Sequence, residues 1–374
     1  MKDNIRVGII GANMDYGWGG RAHVPALLAL PEYELYSIAS SSQDSANATA
    51  QRLNIPFAYG DYRDLIANPE VDLVSVTVNA PLHYEMTMAA LKAGKPTFTE
   101  WPLGANVEEA TQMKELAESK GISTKVGLQA RVSPGIRHIS HLIDSGFVGN
   151  PLSCSMTMFL TNRPRFMASA WGADKTKGAN TLSIHAGHAI DALTSCLGNF
   201  AELASYVRTQ TPLWNLKDSS DPISVTSPDN VIVSGILENQ CVVSIHIAST
   251  RSPAPGWRME IYGSEGTIVA TSTLMLQYGD IKIRGAKLED VPDSYTYIGE
   301  DSLVNIPIPD CYRNIPDTVP SGWPSNIAEL YRIFSKGLIN GTSVQPDFGS
   351  ALRQHQLLDA IEEASQQQIV KHLS

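Results

Sequence analysis

The chain has 374 residues, 43% of them hydrophobic and 18% charged, enough apolar material for one large or two medium cores and incompatible with disorder or a fibrous repeat. Its 28 Lys and Arg stand against 38 Asp and Glu, a formal net charge of −10 without any basic cluster, so no direct contact with nucleic acid is expected. The apolar stretches fall short of the roughly 18 residues of a membrane span, and Met1-Lys2-Asp3-Asn4-Ile5-Arg6 lacks a secretory apolar region; a soluble, cytoplasmic protein with no membrane partner is expected.

Along the first 130 residues, β-branched runs alternate with helical patterns, the mark of βαβ units around a parallel sheet. Strands are predicted over 6–10, 34–39, 73–78, 97–99 and 125–128. A helix over 83–93 carries Met86, Ala89, Ala90 and Ala93 on one face and stops at Gly94-Lys95-Pro96. After about residue 150 the period becomes two: Val243, Ile245 and Ile247 alternate with Ser244, His246 and Ala248, and Trp257, Met259 and Ile261 with Arg258, Glu260 and Tyr262. Such alternation predicts an open, mostly antiparallel sheet with one wet face. Residues 280–325 read as long connections, and a closing helix over 351–366 is predicted to bury Leu357, Leu358, Ile361 and Ala364. Cys154, Cys196, Cys241 and Cys311 lack metal-ligand or disulfide-framework spacing, so they read as ordinary buried thiols and no metal site is expected.

The first strand ends in Ile9-Ile10-Gly11 and runs through Ala12-Asn13 and Trp18-Gly19-Gly20. A dinucleotide turn needs a glycine for the bend, a second where backbone meets pyrophosphate, and a helix amino terminus to hold the phosphates. Gly11 fits the first role, while Asn13 stands where the second glycine is expected and the turn is long. An ordinary βα loop therefore stays open at this point. The second strand ends Ala39-Ser40-Ser41-Ser42 with no acid to bind ribose hydroxyls, so NADP(H) is expected ahead of NAD(H), with Arg21 as the candidate cation. The alternative for the serines is a solvated loop.

Beyond these features the sequence resembles the glucose-fructose oxidoreductase, inositol dehydrogenase and MocA family over nearly its whole length. The resemblance lies in His23-x-Pro25-Ala26-Leu27, His83, Ala93-Gly94-Lys95-Pro96, Glu100-Trp101-Pro102-Leu103, Gly127-Leu128-Gln129-Ala130-Arg131, His188-Ala189-Ile190-Asp191, Tyr262-Gly263-Ser264-Glu265-Gly266-Thr267 and Asp347-Phe348-Gly349. It implies a Rossmann-type, doubly wound parallel sheet over 1–130 for NAD(P), and over 131–374 an α+β domain for substrate binding and oligomerisation, built on a large, mostly antiparallel open sheet. A homodimer or higher homo-oligomer follows from the same resemblance. Family members usually carry Glu-Lys-Pro, whose lysine assists the reacting oxygen; here Trp101 replaces it, and Ile184 stands where an Asp is usual. With Asn13, Trp18 and Glu-Trp-Pro, the sequence is most similar to the branch of the fungal galactose-regulon repressor.

Two readings of function follow. As an NADP(H)-dependent oxidoreductase, the chain transfers a hydride between nicotinamide and a small-molecule carbonyl or alcohol, conjugated alkene or imine. The turn with Gly11, Asn13, Trp18 and Gly19 then takes the pyrophosphate and Ser40, Ser41 and Ser42 the 2′-phosphate. Asn79, Ala80, His83 and Glu100 line the ribose and nicotinamide, and Gln129 meets the carboxamide. His188 donates the proton, assisted by His185, with Trp101 stacking on substrate or nicotinamide; Asp191 is expected to orient a histidine or cap a helix. As a non-catalytic regulator, the same nucleotide would shift a protein–protein surface.

Overall fold

The computed structural model describes residues 4–14, 17–161, 165–290 and 299–373. They cluster into two compact units, the first made of 1–129, 176–178 and 314–356 and the second of 130–175, 179–313 and 357–374.

In the first unit, β1 (Ile5–Ile10), β2 (Tyr33–Ala39), β3 (Phe57–Tyr59), β4 (Leu73–Val76), β5 (Thr97–Thr99) and β6 (Thr124–Val126) form a parallel sheet in the order β3-β2-β1-β4-β5-β6. This is the doubly wound order expected from the sequence, and it reverses direction between β1 and β4. All four residues of β4 are buried, because helices cover both faces of a parallel sheet. The connecting helices are α1 (Val24–Ala29), α2 (Gln43–Leu53), α3 (Tyr62–Ala67), α4 (His83–Lys92) and α5 (Val107–Ser119). Ile10, Ala39, Leu65, Val74 and Val76 meet in one apolar cluster between strands and helices. Strand β3 escaped the sequence pattern, since Phe-Ala-Tyr is too short and too exposed to show a period.

The second unit holds α6 (Pro134–Asp144), β7 (Pro151–Thr161), α7 (Gly187–Leu197), β8 (Phe200–Arg208), a two-stranded ribbon of β9 (Leu213–Trp214) and β10 (Ile223–Ser224), then β11 (Asn230–Leu237), β12 (Val242–Thr250), β13 (Gly256–Gly263), β14 (Gly266–Ser272), β15 (Lys282–Lys287), β16 (Val304–Ile306) and β17 (Lys371–His372). Apart from the ribbon, its strands make a nine-stranded sheet, β16-β15-β14-β13-β7-β12-β11-β8-β17, antiparallel throughout except where β12 runs parallel to β7. Register aligns Val233, Ile245, Met156, Met259, Ala270 and Ile283 in one buried row across six strands. Leu152, Tyr206, Ile232, Val242 and Tyr262 are exposed.

Residues 314–356 were expected in the second domain but group with the first unit. The reason is burial: α8 (Trp323–Asn340) puts Tyr331 against Phe98 of β5 at a ring separation of 4.8 Å and buries Phe334. The closing helix, α9 (Phe348–Gln367), starts three residues before the predicted point; Leu358, Ile361 and Ala364 are buried and Leu357 is half-buried. Within 280–325, strands β15 and β16 replace part of the expected connection, while 291–298 lie outside the described residues. Three cysteines are buried as expected; Cys311 is exposed, because it sits in the short surface turn Asp310–Tyr312. Among the described residues no helix is long and apolar enough to cross a membrane.

Candidate functional site

At the switch point of the first sheet, β1 passes into a turn of which Asp15 and Tyr16 lie outside the described residues. Gly11 adopts φ +95°, where a side chain is strained, and a Cβ there would meet Val78 at 2.6 Å. Helix begins at Gly19 with a wide first turn, Gly19–His23, that continues into α1; the residue before it, Trp18, provides no side-chain cap. A helix amino terminus offers N–H groups to an anion or to water. Asn13 holds the place of the second glycine, and two later glycines pack tightly behind the turn: a Cβ on Gly19 would lie 2.3 Å from Thr77 Oγ1, and one on Gly20 only 1.9 Å from the Asn13 carbonyl oxygen. Gly11, Gly19 and Gly20 together perform the packing that a shorter glycine motif performs elsewhere.

These strand ends enclose a cavity of about 460 Å³. Gly11, Asn13, Trp18, Ser40, Ser41 and Asn79, all expected to contact the cofactor, line it, and the turn after β3 adds Gly60, Asp61, Tyr62 and Arg63, which the sequence reading missed. The pairing of β2 with β3 brings that turn there, with Ser40 N–H donating to the Tyr59 carbonyl at 3.1 Å. An Asp ahead of a helical run was its sequence signal: Asp61 caps α3, accepting from Arg63 N–H at 2.8 Å.

Seven proposed cofactor residues stand outside the cavity's lining. Gly19 and Ala80 are buried behind it. Ser42 is engaged as the amino-terminal cap of α2, its Oγ accepting from Ser45 N–H at 3.3 Å. His83 is buried with Nδ1 2.7 Å from the Pro102 carbonyl and Nε2 3.0 Å from that of Val78; burial lowers its pKa, so the neutral ring donates to one carbonyl at a time. It ties backbone together where a ribose contact was expected. Glu100 Oε1 accepts from His23 Nε2 at 2.8 Å, His23 Nδ1 meets Tyr331 Oη at 2.8 Å, and Tyr331 Oη meets Ser75 Oγ at 2.8 Å. The carboxylate lies over Gly127, where a Cβ would fall 2.5 Å from Oε1. Trp101, 5% exposed, packs on His355 with ring centroids 4.7 Å apart and planes tilted by 44°. Gln129 is buried and its Oε1 has no hydrogen-bond partner, an orphaned acceptor of the kind a carboxamide N–H satisfies.

In the second unit, the segment Thr181–Ala186 leads into α7 and presents His185 and His188 one turn apart. His185 Nδ1 lies 3.4 Å from Ser249 Oγ, which bonds Thr181 Oγ1 at 2.9 Å. Burial, aided by the Arg165 charge, lowers His185 to about 4; burial, aided by His185, lowers His188 to about 3. Both are neutral at pH 7, so a proton donated by His188, as the sequence reading expects, would come from a neutral ring. Its Nδ1 is buried without a partner. Asp191, expected to orient a histidine or cap a helix, instead pairs with Arg131, with Nε donating to Oδ2 at 2.9 Å.

Residues 5–128 match the model of an oxidoreductase family with an NAD-binding Rossmann fold, GFO/IDH/MocA, and residues 134–272 match the C-terminal domain of Gal80p. The dehydrogenase aclE of Aspergillus oryzae is 29% identical over 281 residues, covering 72% of this chain and 77% of its own. A super-repressor mutant of Gal80p from Saccharomyces cerevisiae superposes with a TM-score of 0.84 at 21% identity, covering 99% of this chain and 98% of its own. Levoglucosan dehydrogenase in complex with NADH and levoglucosan superposes with a TM-score of 0.84 at 24% identity, covering 99% of both chains.

Proposed function

This chain belongs to the GFO/IDH/MocA oxidoreductase family, in its Gal80-like branch, and on that premise we propose that it is an NADP(H)-dependent oxidoreductase acting on a small-molecule carbonyl or alcohol, a conjugated alkene or an imine. The observation that carries this reading is the switch-point cavity, which joins a glycine-built phosphate turn to a β2 end bearing Ser40 and Ser41 in place of an acid. The bound nicotinamide supplies the hydride. The turn from Gly11 through Asn13 to Trp18 takes the pyrophosphate, Asn79 lies toward the ribose, and Gln129 Oε1 receives the carboxamide. Trp101 stands in the place of the usual lysine, and in this reading His188 acts as a neutral imidazole whose N–H polarises the reacting oxygen while the proton comes from water. His185 holds the second imidazole beside it.

A second reading, a nucleotide-binding regulator without turnover, is favoured by the Gal80p-type match over 134–272 and by the depressed basicity of both histidines. NADPH deuterated at C4 separates the two. Incubated with the protein and a panel of aromatic ketones, enones and imines, it should deliver one deuteron to an acceptor, read by mass spectrometry. Tight NADPH binding with no deuterated product from any acceptor class would overturn the enzyme and leave the regulator.

A further inference from the structure

The cavity's ribose end draws its charged side chains from the turn after β3. Arg63 is the one cation among the described residues lining it, and it shares that wall with Ser40 and Ser41. Its guanidinium lies 4.6 Å from the Tyr62 ring centroid, with NH1 3.1 Å from Asp61 Oδ2 and NH2 2.9 Å from Glu85 Oε1. The Arg63 backbone is pinned by the Asp61 cap, whereas its side chain is 63% exposed and rests on two surface ion pairs. Exposed pairs of this kind are worth about 0–1 kcal/mol each and are readily exchanged. Arg21, the cation suggested by the sequence, stands outside the lining and lies 5.6 Å over the Trp323 ring.

Two carboxylates beside one guanidinium make this rim net negative as it stands. A 2′-phosphate, with more charge than a carboxylate and oxygens that suit a planar fork, outcompetes either acid for the guanidinium. We propose that Arg63 binds the adenosine 2′-phosphate of NADP(H), leaving Asp61 and Glu85 to do so, while Ser41 donates from the β2 side and Ser40 does so by turning its hydroxyl from Ser45 Oγ. The proposal rests on the dinucleotide reading of the cavity. It assigns cofactor choice to β3's turn, with Asp61 as the opposing group: when Arg63 is absent, Asp61 repels the phosphate.

Equilibrium titration of NADPH and NADH, followed by quenching of intrinsic tryptophan fluorescence, tests this without turnover. Arg63→Gln should weaken NADPH by about 10- to 100-fold and leave NADH within about twofold, which also shows that the variant is folded. Arg63→Lys should keep part of the preference, and Asp61→Asn, which preserves a capping side chain, should strengthen NADPH. A wild-type protein that binds neither nucleotide, or favours NADH, overturns the cofactor reading and this proposal with it. A wild-type preference for NADPH that survives Arg63→Gln overturns the proposal alone.

Discussion

Three adjacent serines divide between two duties. Ser40 faces the cavity and donates its hydroxyl to Ser45 Oγ at 2.9 Å, Ser41 lines the same wall, and Ser42 faces away to cap α2. Sequence supplies three equivalent hydroxyls after a strand; only the backbone angles of the turn separate ligand from cap. Ser42→Ala should cost about 1 kcal/mol of stability, seen as a lower unfolding midpoint, with nucleotide affinity unchanged. Ser40→Asp should do the reverse, weakening NADPH far more than NADH by setting a carboxylate against the phosphate. Equal loss of both nucleotides would remove Ser40 from the phosphate site. Glycines show the same limit: Gly11 is legible from its place after β1, but the tight packing of Gly19 on Thr77 and of Gly20 on the Asn13 carbonyl appears only in the fold, since the longer turn moves the helix start along the chain.

Helix α8 joins the first unit through a polar chain, Glu100 to His23 to Tyr331 to Ser75, that links the ends of β5, the phosphate-turn helix and the centre of β4. A His23 ring that donates from Nε2 to the carboxylate and carries one proton accepts at Nδ1 from the Tyr331 hydroxyl, which in turn accepts from Ser75. Burial pushes the Tyr331 phenol far up, so it remains a donor at any working pH. Tyr331→Phe keeps the ring packing against Phe98 but strands His23 Nδ1 and Ser75 Oγ. It should therefore destabilise the protein by about 1–3 kcal/mol in denaturant unfolding; an unchanged midpoint would mean that the hydroxyl is not needed. Nothing in the spacing of Ser75, Glu100 and Tyr331 announces this network, because its members lie far apart in the chain and meet only when α8 packs.

For the whole molecule, the buried imidazoles set a pH dependence. His185 and His355 are lowered to about 4 and His188 to about 3, burial being the leading cause in each. In the unfolded chain these groups titrate near 6.5, so the unfolded state binds protons first as pH falls. Stability is full above about pH 6.5 and drops between there and the folded values, by up to about 1.4 kcal/mol per pH unit for each imidazole. His188→Gln should flatten this fall by one proton's worth between pH 6 and pH 4, measured as unfolding free energy against pH. Parallel curves for the variant and the wild type would show that His188 is not held neutral by the fold.

What the sequence by itself determined was the part written in local patterns. Periods of about 3.6 and of 2 mark α4 and β12, β-branched runs mark β1 and β4, and the glycine after β1 marks the turn at the switch point, because each depends on neighbours a few residues away. What only the tertiary structure decided depends on contacts between distant segments. It returned 314–356 to the first unit through burial of Tyr331 and Phe334, and carried Asp61 and Arg63 beside Ser40 through a three-residue strand with no visible period. It also left His188 neutral, since the low dielectric that opposes an imidazolium exists only once the chain is folded around it.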